Sequence, residues 1–142
     1  MKNRCLVLIL VLVAIVATSC SSNPRLRTIK AKPEMQSVIE KYKVELKSKS
    51  ITVKPVWTKF DTIVTHKVLV TILNPDVSRR DSDYLSSFTK NIAKDIYFEI
   101  INKNDFSTID ITYKWMVGIS LVNVQYIRTF SFPTKELNDN IL

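Results

Sequence analysis

Two alternating segments near the C-terminal end of the chain limit the fold more than any other feature. Apolar and polar residues alternate from Ser107 to Val117 and again from Ser120 to Phe132. Gly118, the only glycine in the 142 residues, lies between them. A repeat of two residues is the pattern of a strand with one buried face. Two such strands around a glycine predict a β-hairpin.

The predicted hairpin has an apolar and a polar face. The apolar face consists of Ile109, Ile111, Tyr113, Trp115, Val122, Val124, Tyr126, Phe130 and Phe132. We expect these side chains to form core, because they alternate with polar residues; an aromatic platform for sugars or peptidoglycan is the alternative. The polar face is a candidate binding surface, and its residues are Asp110, Thr112, Lys114, Asn123, Gln125 and Thr129.

Two further strands are predicted upstream of the hairpin. The segment Thr62–Leu73 is rich in β-branched residues, which favour strands. The segment Ser50–Trp57 contains Pro55, which cannot donate to a strand ladder, so it is predicted to be an edge strand. Trp57 is the aromatic side chain that we most expect to be exposed. His66 shares the apolar face of its strand, and no nucleophile motif surrounds it, so we expect a packed rather than a catalytic histidine.

Two segments have the spacing of amphipathic helices. Pro33–Ser48 begins with a proline and a glutamate, which suit a first helical turn; the alternation in its second half also fits a strand. Asp81–Lys103 is the stronger helix, with capping residues at its start and Asn104 after its end. Its apolar stripe consists of Leu85, Phe88, Ile92, Ile96 and Ile100.

The predicted element order is helix, two strands, helix and two strands. This order is typical of an α+β fold with a four-stranded, largely antiparallel sheet, apolar on one face and polar on the other. The second helix is expected to pack on the apolar face. Residues 33–132 are predicted to form this single α+β domain, and residues 133–142 a mostly polar C-terminal tail.

Two charged residues interrupt apolar stripes. Glu99 falls in the stripe of the second helix, and Arg128 falls on the apolar face of the last strand. Burying either charge alone is costly, so the two are predicted to form a pair. Three interpretations remain open. The two residues form an internal ion pair, extend their charged groups to the rim of the domain, or provide a charged anchor inside a ligand pocket.

The composition argues against several kinds of chemistry. A P-loop or a dinucleotide-binding loop needs several glycines, and a zinc site needs several histidines or cysteines. The chain has one glycine, one histidine and two cysteines. Carboxylates such as Asp95 and Asp110 lie in no recognisable catalytic motif. No cofactor, metal site or catalytic residue is therefore predicted.

The N-terminus has the layout of an export signal. Lys2 and Arg4 precede thirteen apolar residues from Cys5 to Ala17, and small residues follow. At roughly 1.5 Å per residue, the apolar run spans about 20 Å, which is short for a hydrocarbon core of about 30 Å. We therefore expect residues 1–19 to be a cleaved signal peptide; a retained membrane anchor is the alternative.

The sequence Ala17-Thr18-Ser19-Cys20 resembles the lipobox of bacterial lipoproteins. The resemblance covers residues 1–20 only, and no family is recognised for the mature domain. It implies that Cys20 becomes the first residue and is attached to membrane lipid by its acyl groups. Ser21, in place of aspartate, implies by analogy the outer membrane if the organism is Gram-negative. Ordinary secretion after an A-x-A-like site is the alternative.

Cleavage would leave 123 residues with 19 basic and 13 acidic side chains, a net charge of +6. Residues 20–32 are predicted to be a basic tether, since they carry two arginines and two lysines and no acid. Near an anionic membrane each such charge contributes about 1 kcal/mol; a merely solubilising linker is the alternative. Export argues against a nucleic-acid partner in spite of the positive charge.

These features together predict a small membrane-anchored envelope lipoprotein with a non-enzymatic binding or assembly role. Its expected partners are anionic envelope components or another envelope protein. The alternative is a small-ligand-binding or hydrolytic envelope protein with a cleft at the sheet–helix rim. An apolar pocket in which Glu99, Arg128 and His66 converge would favour the alternative. A filled core and a flat polar sheet would favour the binding role.

Overall fold

The computed structural model describes residues 27–78, 82–119 and 122–138. Within these ranges the elements are α1 (Met35–Glu45), β1 (Ser50–Phe60), β2 (Ile63–Leu73), α2 (Ser82–Glu99), β3 (Thr108–Ile119), β4 (Val122–Pro133) and α3 (Thr134–Asn138). A short 3₁₀ turn, Lys103–Asp105, connects α2 to β3. The predicted signal peptide, the lipidation site Cys20 and tether residues 21–26 lie outside the described residues.

The four strands form one mixed sheet in the order β1-β2-β3-β4. β1 and β2 form an antiparallel hairpin, and so do β3 and β4, whereas the central pair of β2 and β3 is parallel. A parallel pair requires a crossover connection, which α2 provides. The predicted α+β fold and its order of elements are confirmed.

One face of the sheet carries the hydrophobic core. Its buried strand residues are Ile51, Val68, Val70, Ile72, Ile109, Ile111, Tyr113 and Trp115. At the centre of the α2 stripe, Ile92 and Ile96 are 0% and 1% exposed, which confirms the predicted helix face. Tyr42 of α1 and Leu137 of α3 belong to the same cluster. All three helices therefore pack on one side of the sheet.

α1 ends at Glu45, three residues before the predicted Ser48, and β2 ends at Leu73 as predicted. Lys47 adopts φ 46° just after α1, and Asn74 adopts φ 48° just after β2. The Asn74 side-chain oxygen accepts a hydrogen bond of 2.7 Å from the Met116 N–H, which extends the contact between β2 and β3 past their last pair. Pro55 lies in β1, at an edge of the sheet, as its missing N–H predicts.

Residues 27–32 of the predicted basic tether dock on the domain. Ala31 forms an isolated antiparallel bridge with Ile100. The Arg27 guanidinium lies 2.8 Å from the Asp105 carboxylate. Periodicity cannot reveal such docking, since the segment has no helix or strand pattern of its own.

The same docking explains why α2 ends at Glu99 and not at the predicted Lys103. The Glu99 carbonyl accepts a hydrogen bond of 2.9 Å from the Lys32 N–H, and the Ile101 N–H donates to the Lys30 carbonyl at 2.7 Å. Backbone groups that would continue the helix are therefore used by the N-terminal segment.

The predicted polar tail also needs correction. Pro133 completes β4, and Thr134–Asn138 forms the short helix α3. Leu137 is fully buried in the core cluster. The domain therefore extends at least to Asn138, while tail residues 139–142 lie outside the described residues.

The two hairpins extend from opposite ends of the sheet. The parallel pairing of β2 and β3 begins at Lys67 and Thr108 and ends at Leu73 and Lys114. Residues 57–66 therefore extend past the start of β3, and residues 115–119 and 122–126 extend past the end of β2. The docked N-terminal segment and the end of α2 lie at the same end as the turn of the first hairpin. None of the helices in the described ranges is long and apolar enough to cross a bilayer.

Candidate binding surface on the sheet

The predicted binding residues share the face of the sheet that lies opposite the helices. By register this face includes Asp110, Thr112 and Lys114 of β3 and Asn123, Gln125 and Thr129 of β4. Because the described helices all pack on the other side, no helix of the described ranges covers it. We call this surface the open face.

A row of four threonines crosses the open face, one from each strand. Thr52 pairs with Thr71, Thr71 with Thr112, and Thr112 with Thr129. The hydroxyls of Thr112 and Thr129 share a hydrogen bond of 2.9 Å. With adjacent strands about 4.8 Å apart, the row extends over roughly 15 Å. Alternation alone does not identify Thr52 and Thr71, because their alignment depends on the register of three strand pairs.

An ion pair lies beside the threonine row. Lys67 Nζ is 3.2 Å from Asp110 Oδ2, and the two side chains are 25% and 15% exposed. The second carboxylate oxygen of Asp110, Oδ1, is buried and has no hydrogen-bond partner among the described residues. A donor from a binding partner that reached Oδ1 would satisfy an acceptor that is costly to leave unpaired.

Large apolar side chains interrupt the polar pattern at one end of the open face. Met116 and Ile127 are 48% and 58% exposed. Ile127 pairs directly with Lys114, and Met116 with Gln125. The open face is therefore mixed in character, with a polar centre and exposed apolar groups on the second hairpin.

Among the ion pairs between described residues, Glu99 is found with Lys32 and not with Arg128. The Glu99 carboxylate oxygen Oε2 lies 3.8 Å from Lys32 Nζ, and the Glu99 side chain is 18% exposed. The Arg128 guanidinium lies 5.0 Å from the ring centroid of Phe130. Each charge therefore lies beside a different neighbour.

Glu99 and Arg128 are separated because they lie at different positions along the direction of the strands and of α2. Arg128 is opposite Tyr113 in the sheet, and the Tyr113 hydroxyl is 2.8 Å from Thr89 Oγ1. Glu99 lies ten residues after Thr89 on α2, which corresponds to roughly 15 Å along the helix axis. The apolar stripes identify the face on which each residue lies, but not its position along the axis of the neighbouring element.

His66 lies on β2 within the first hairpin, opposite Trp57. Its backbone carbonyl accepts a hydrogen bond of 3.0 Å from the Ser107 N–H, which holds the start of β3. Trp57 is 37% exposed, against 8% for Trp115, but Phe60 is the more exposed aromatic at 85%. The expectation that Trp57 is exposed is therefore confirmed, although Phe60 is exposed more fully.

The aromatic residues of the second hairpin divide between core and surface. Tyr113 is fully buried and Trp115 nearly so, as the core interpretation predicts. Tyr126 is 47% exposed, because it lies on the part of the hairpin that extends past β2. Burial raises the pKa of Tyr113.

A second polar cluster lies between α1 and α2. The Tyr42 hydroxyl donates a hydrogen bond of 2.7 Å to Asp95 Oδ2, and Lys41 Nζ is 3.3 Å from the same oxygen. Burial, followed by the hydrogen bond to Asp95, raises the pKa of Tyr42 well above its ordinary value. The groove beside this cluster has a volume of about 410 Å³.

Within the described ranges, no group of three His, Cys, Asp or Glu side chains could hold a metal ion. Comparisons of the chain with protein-family models, with curated proteins and with solved structures found no match. An assignment of function therefore has to rest on the surface of the domain and on the N-terminal sequence.

Proposed function

We propose that this protein is a lipid-anchored component of the bacterial cell envelope that binds another envelope protein through the open face and catalyses no reaction. The threonine row carries this proposal, since it aligns hydroxyl side chains from all four strands across the open face. Thr112, at its centre, is 6% exposed. Exposed Met116 and Ile127 lie beside the row. A combination of apolar area and a few polar contacts is typical of protein interfaces.

The anchor of this protein is the acylated Cys20, in the outer membrane if the cell has one. The support is the sequence of residues 1–20, whose short apolar run and small residues resemble a lipoprotein signal. Only six residues separate Cys20 from Arg27, the first residue of the docked segment. The domain is thus held close to the lipid, where a neighbouring membrane-bound protein is a natural partner.

The anchor is tested by replacing Cys20 with alanine. We expect the variant to move from the membrane fraction to the soluble fraction or to accumulate as precursor. Mass spectrometry of the N-terminal peptide of the unaltered protein should show an acylated Cys20. A mature N-terminal peptide with an unmodified Cys20 would overturn the assignment of the anchor.

The binding role is tested with a photo-crosslinking residue at Gln125, which is exposed on the open face. The matched control carries the same residue at Lys90, which is exposed on α2. In native envelopes we expect a discrete crosslinked protein from position 125, identified by mass spectrometry, and none from position 90. Equal crosslinking from both positions, or none from either, would contradict binding through the open face.

A further inference from the structure

The tip of the first hairpin extends beyond the rest of the sheet. β3 begins opposite Lys67, so residues 57–60 of β1 and 63–66 of β2 pair with one another, and of these His66 alone also accepts a backbone hydrogen bond from Ser107 among the described residues. Asp61 and Thr62 form the turn, with Asp61 at φ 52°. We call residues 57–66 the hairpin tip.

The hairpin tip presents large apolar side chains to solvent. Phe60 and Ile63 are a directly opposed pair on either side of the turn. They are 85% and 67% exposed, and Trp57 is 37% exposed. Apolar groups gathered on a projecting turn have no role in the core, which lies between the sheet and the helices.

An apolar groove lies along β1 on the face of Trp57, which is opposite to the face of Phe60 and Ile63. It has a volume of about 330 Å³ and is lined by Ile29, Met35, Ile39, Val53 and Pro55, among others. By register Val53, Pro55 and Trp57 lie on the same face of β1. The hairpin tip therefore carries apolar side chains on both of its faces, with Trp57 on the face of the groove and Phe60 and Ile63 on the other.

The N-terminal segment brings this end close to the anchor. Residues 27–32 dock at the end of α2, beside the start of β3 and so at the end of the sheet from which the tip projects. The seven Cα steps from Cys20 to Arg27 span at most about 25 Å. A lipid attached to Cys20 therefore keeps the hairpin tip near the membrane surface.

The charge of the hairpin also suits an anionic membrane. Residues 54–67 contain Lys54, Lys59 and Lys67 and a single acid, Asp61. Lysines beside an anionic lipid surface are attracted to it, and tryptophan is enriched at the level of the headgroups.

We propose that the hairpin tip inserts Trp57, Phe60 and Ile63 into the headgroup region of the membrane, next to the acylated Cys20. The inference rests on the proposed lipid anchor. The inserted tip gives the domain a second attachment point, which fixes its orientation on the membrane. The open face is the side of the sheet that faces away from the helices. In this orientation it remains accessible to a membrane-bound partner.

The test uses the mature acylated protein in vesicles, with Trp115 replaced by phenylalanine so that Trp57 is the only tryptophan. We expect brominated lipids to quench Trp57 emission and the emission maximum to shift to shorter wavelength. Phosphatidylglycerol-containing vesicles should give stronger quenching than pure phosphatidylcholine. The variant F60S/I63S should lose most of the quenching, whereas V117S, which removes a 53% exposed side chain at the opposite end, should retain it.

Mass spectrometry of the same samples separates the two proposals. An acylated Cys20 with no quenching of Trp57 would overturn the insertion of the tip and leave the anchor intact. An unmodified Cys20 would overturn the anchor. Shielding of Trp57 that depends on protein concentration and not on lipid would identify a second copy of the chain at the tip and overturn the proposal. If W115F fails to fold, an environment-sensitive fluorophore on T62C gives the same readout.

Discussion

Tyr113 donates a hydrogen bond of 2.8 Å to Thr89 in the interior of the domain and so joins β3 to α2. The direction follows from the second contact of Thr89, whose hydroxyl donates to the Leu85 carbonyl. Both residues are fully buried. The α2 stripe thus contains one polar residue whose partner lies across the core.

The direction of this hydrogen bond predicts that two substitutions lower the free energy of unfolding by different amounts. T89V leaves the Tyr113 hydroxyl buried without a partner and should lower the free energy of unfolding by about 1–3 kcal/mol. Y113F leaves Thr89 bonded to Leu85 and should cost only about 1 kcal/mol. In urea unfolding, the double variant should lose less than the sum of the two. If the losses in free energy of unfolding simply add in the double variant, the shared hydrogen bond is contradicted. The control is T58V, which alters an exposed threonine.

Tyr42 should make the stability of the domain sensitive to alkaline pH. Burial and the hydrogen bond to Asp95 raise the pKa of Tyr42 above that of an unfolded tyrosine. Above about pH 10, the unfolded chain loses this proton while the native state keeps it, so the free energy of unfolding falls as pH rises. Y42F should therefore show a shallower fall between about pH 9 and pH 11, together with a loss of about 1 kcal/mol at neutral pH.

The control for this experiment is Y84F, since Tyr84 is 55% exposed. We expect Y84F to leave the alkaline slope of the free energy of unfolding unchanged. Equal slopes for the unaltered protein and Y42F would show that Tyr42 ionises as readily in the native state as in the unfolded chain.

Ile92 should be one of the most sensitive positions for stability. It is 0% exposed at the centre of α2, and truncation of a buried isoleucine to alanine typically costs about 2–5 kcal/mol. I92A should therefore lower the melting temperature strongly. The control I101A alters a residue that is 62% exposed and should have a small effect. Similar losses in both variants would contradict the assignment of the buried face.

Glu99 and Arg128 should be energetically independent. Since they lie at different levels of the domain, the losses in E99Q, R128M and the double variant should add within about 0.5 kcal/mol. A parallel cycle of E99Q with K32M should show a small coupling, of about 0.2–1 kcal/mol, because Lys32 is 47% exposed. A coupling larger for Arg128 than for Lys32 would restore the pair that the sequence predicts.

Hydrophobic periodicity was sufficient to predict the four strands, the two longer helices α1 and α2, and the side of each that is buried. The two-residue repeat from Thr108 to Trp115 and the stripe through Ile92 and Ile96 are local signals. The burial of the apolar residues follows them, although Thr112 on the polar side of β3 is also buried. The polar side of β3 was predicted for the same reason, since alternation fixes the face of every residue once one face is buried.

Relations between distant elements needed the tertiary structure. The threonine row depends on three registers, one of them the parallel pairing of β2 with β3, which no local pattern specifies. The partner of Glu99 depends on the position of α2 along the sheet. The apolar stripe of a helix predicts its buried face but not this position.

Segments without periodicity were likewise settled only by the folded domain. Residues 27–32 and 134–138 are mostly polar, yet Ala31 bridges Ile100 and Leu137 is fully buried. Each segment is placed by a few contacts with α2 and its C-terminal end, whose ordered backbone groups and apolar surface exist only after the core has formed. The sequence alone thus determined the layers of this protein and its candidate anchor at Cys20, whereas packing determined which residues meet across those layers.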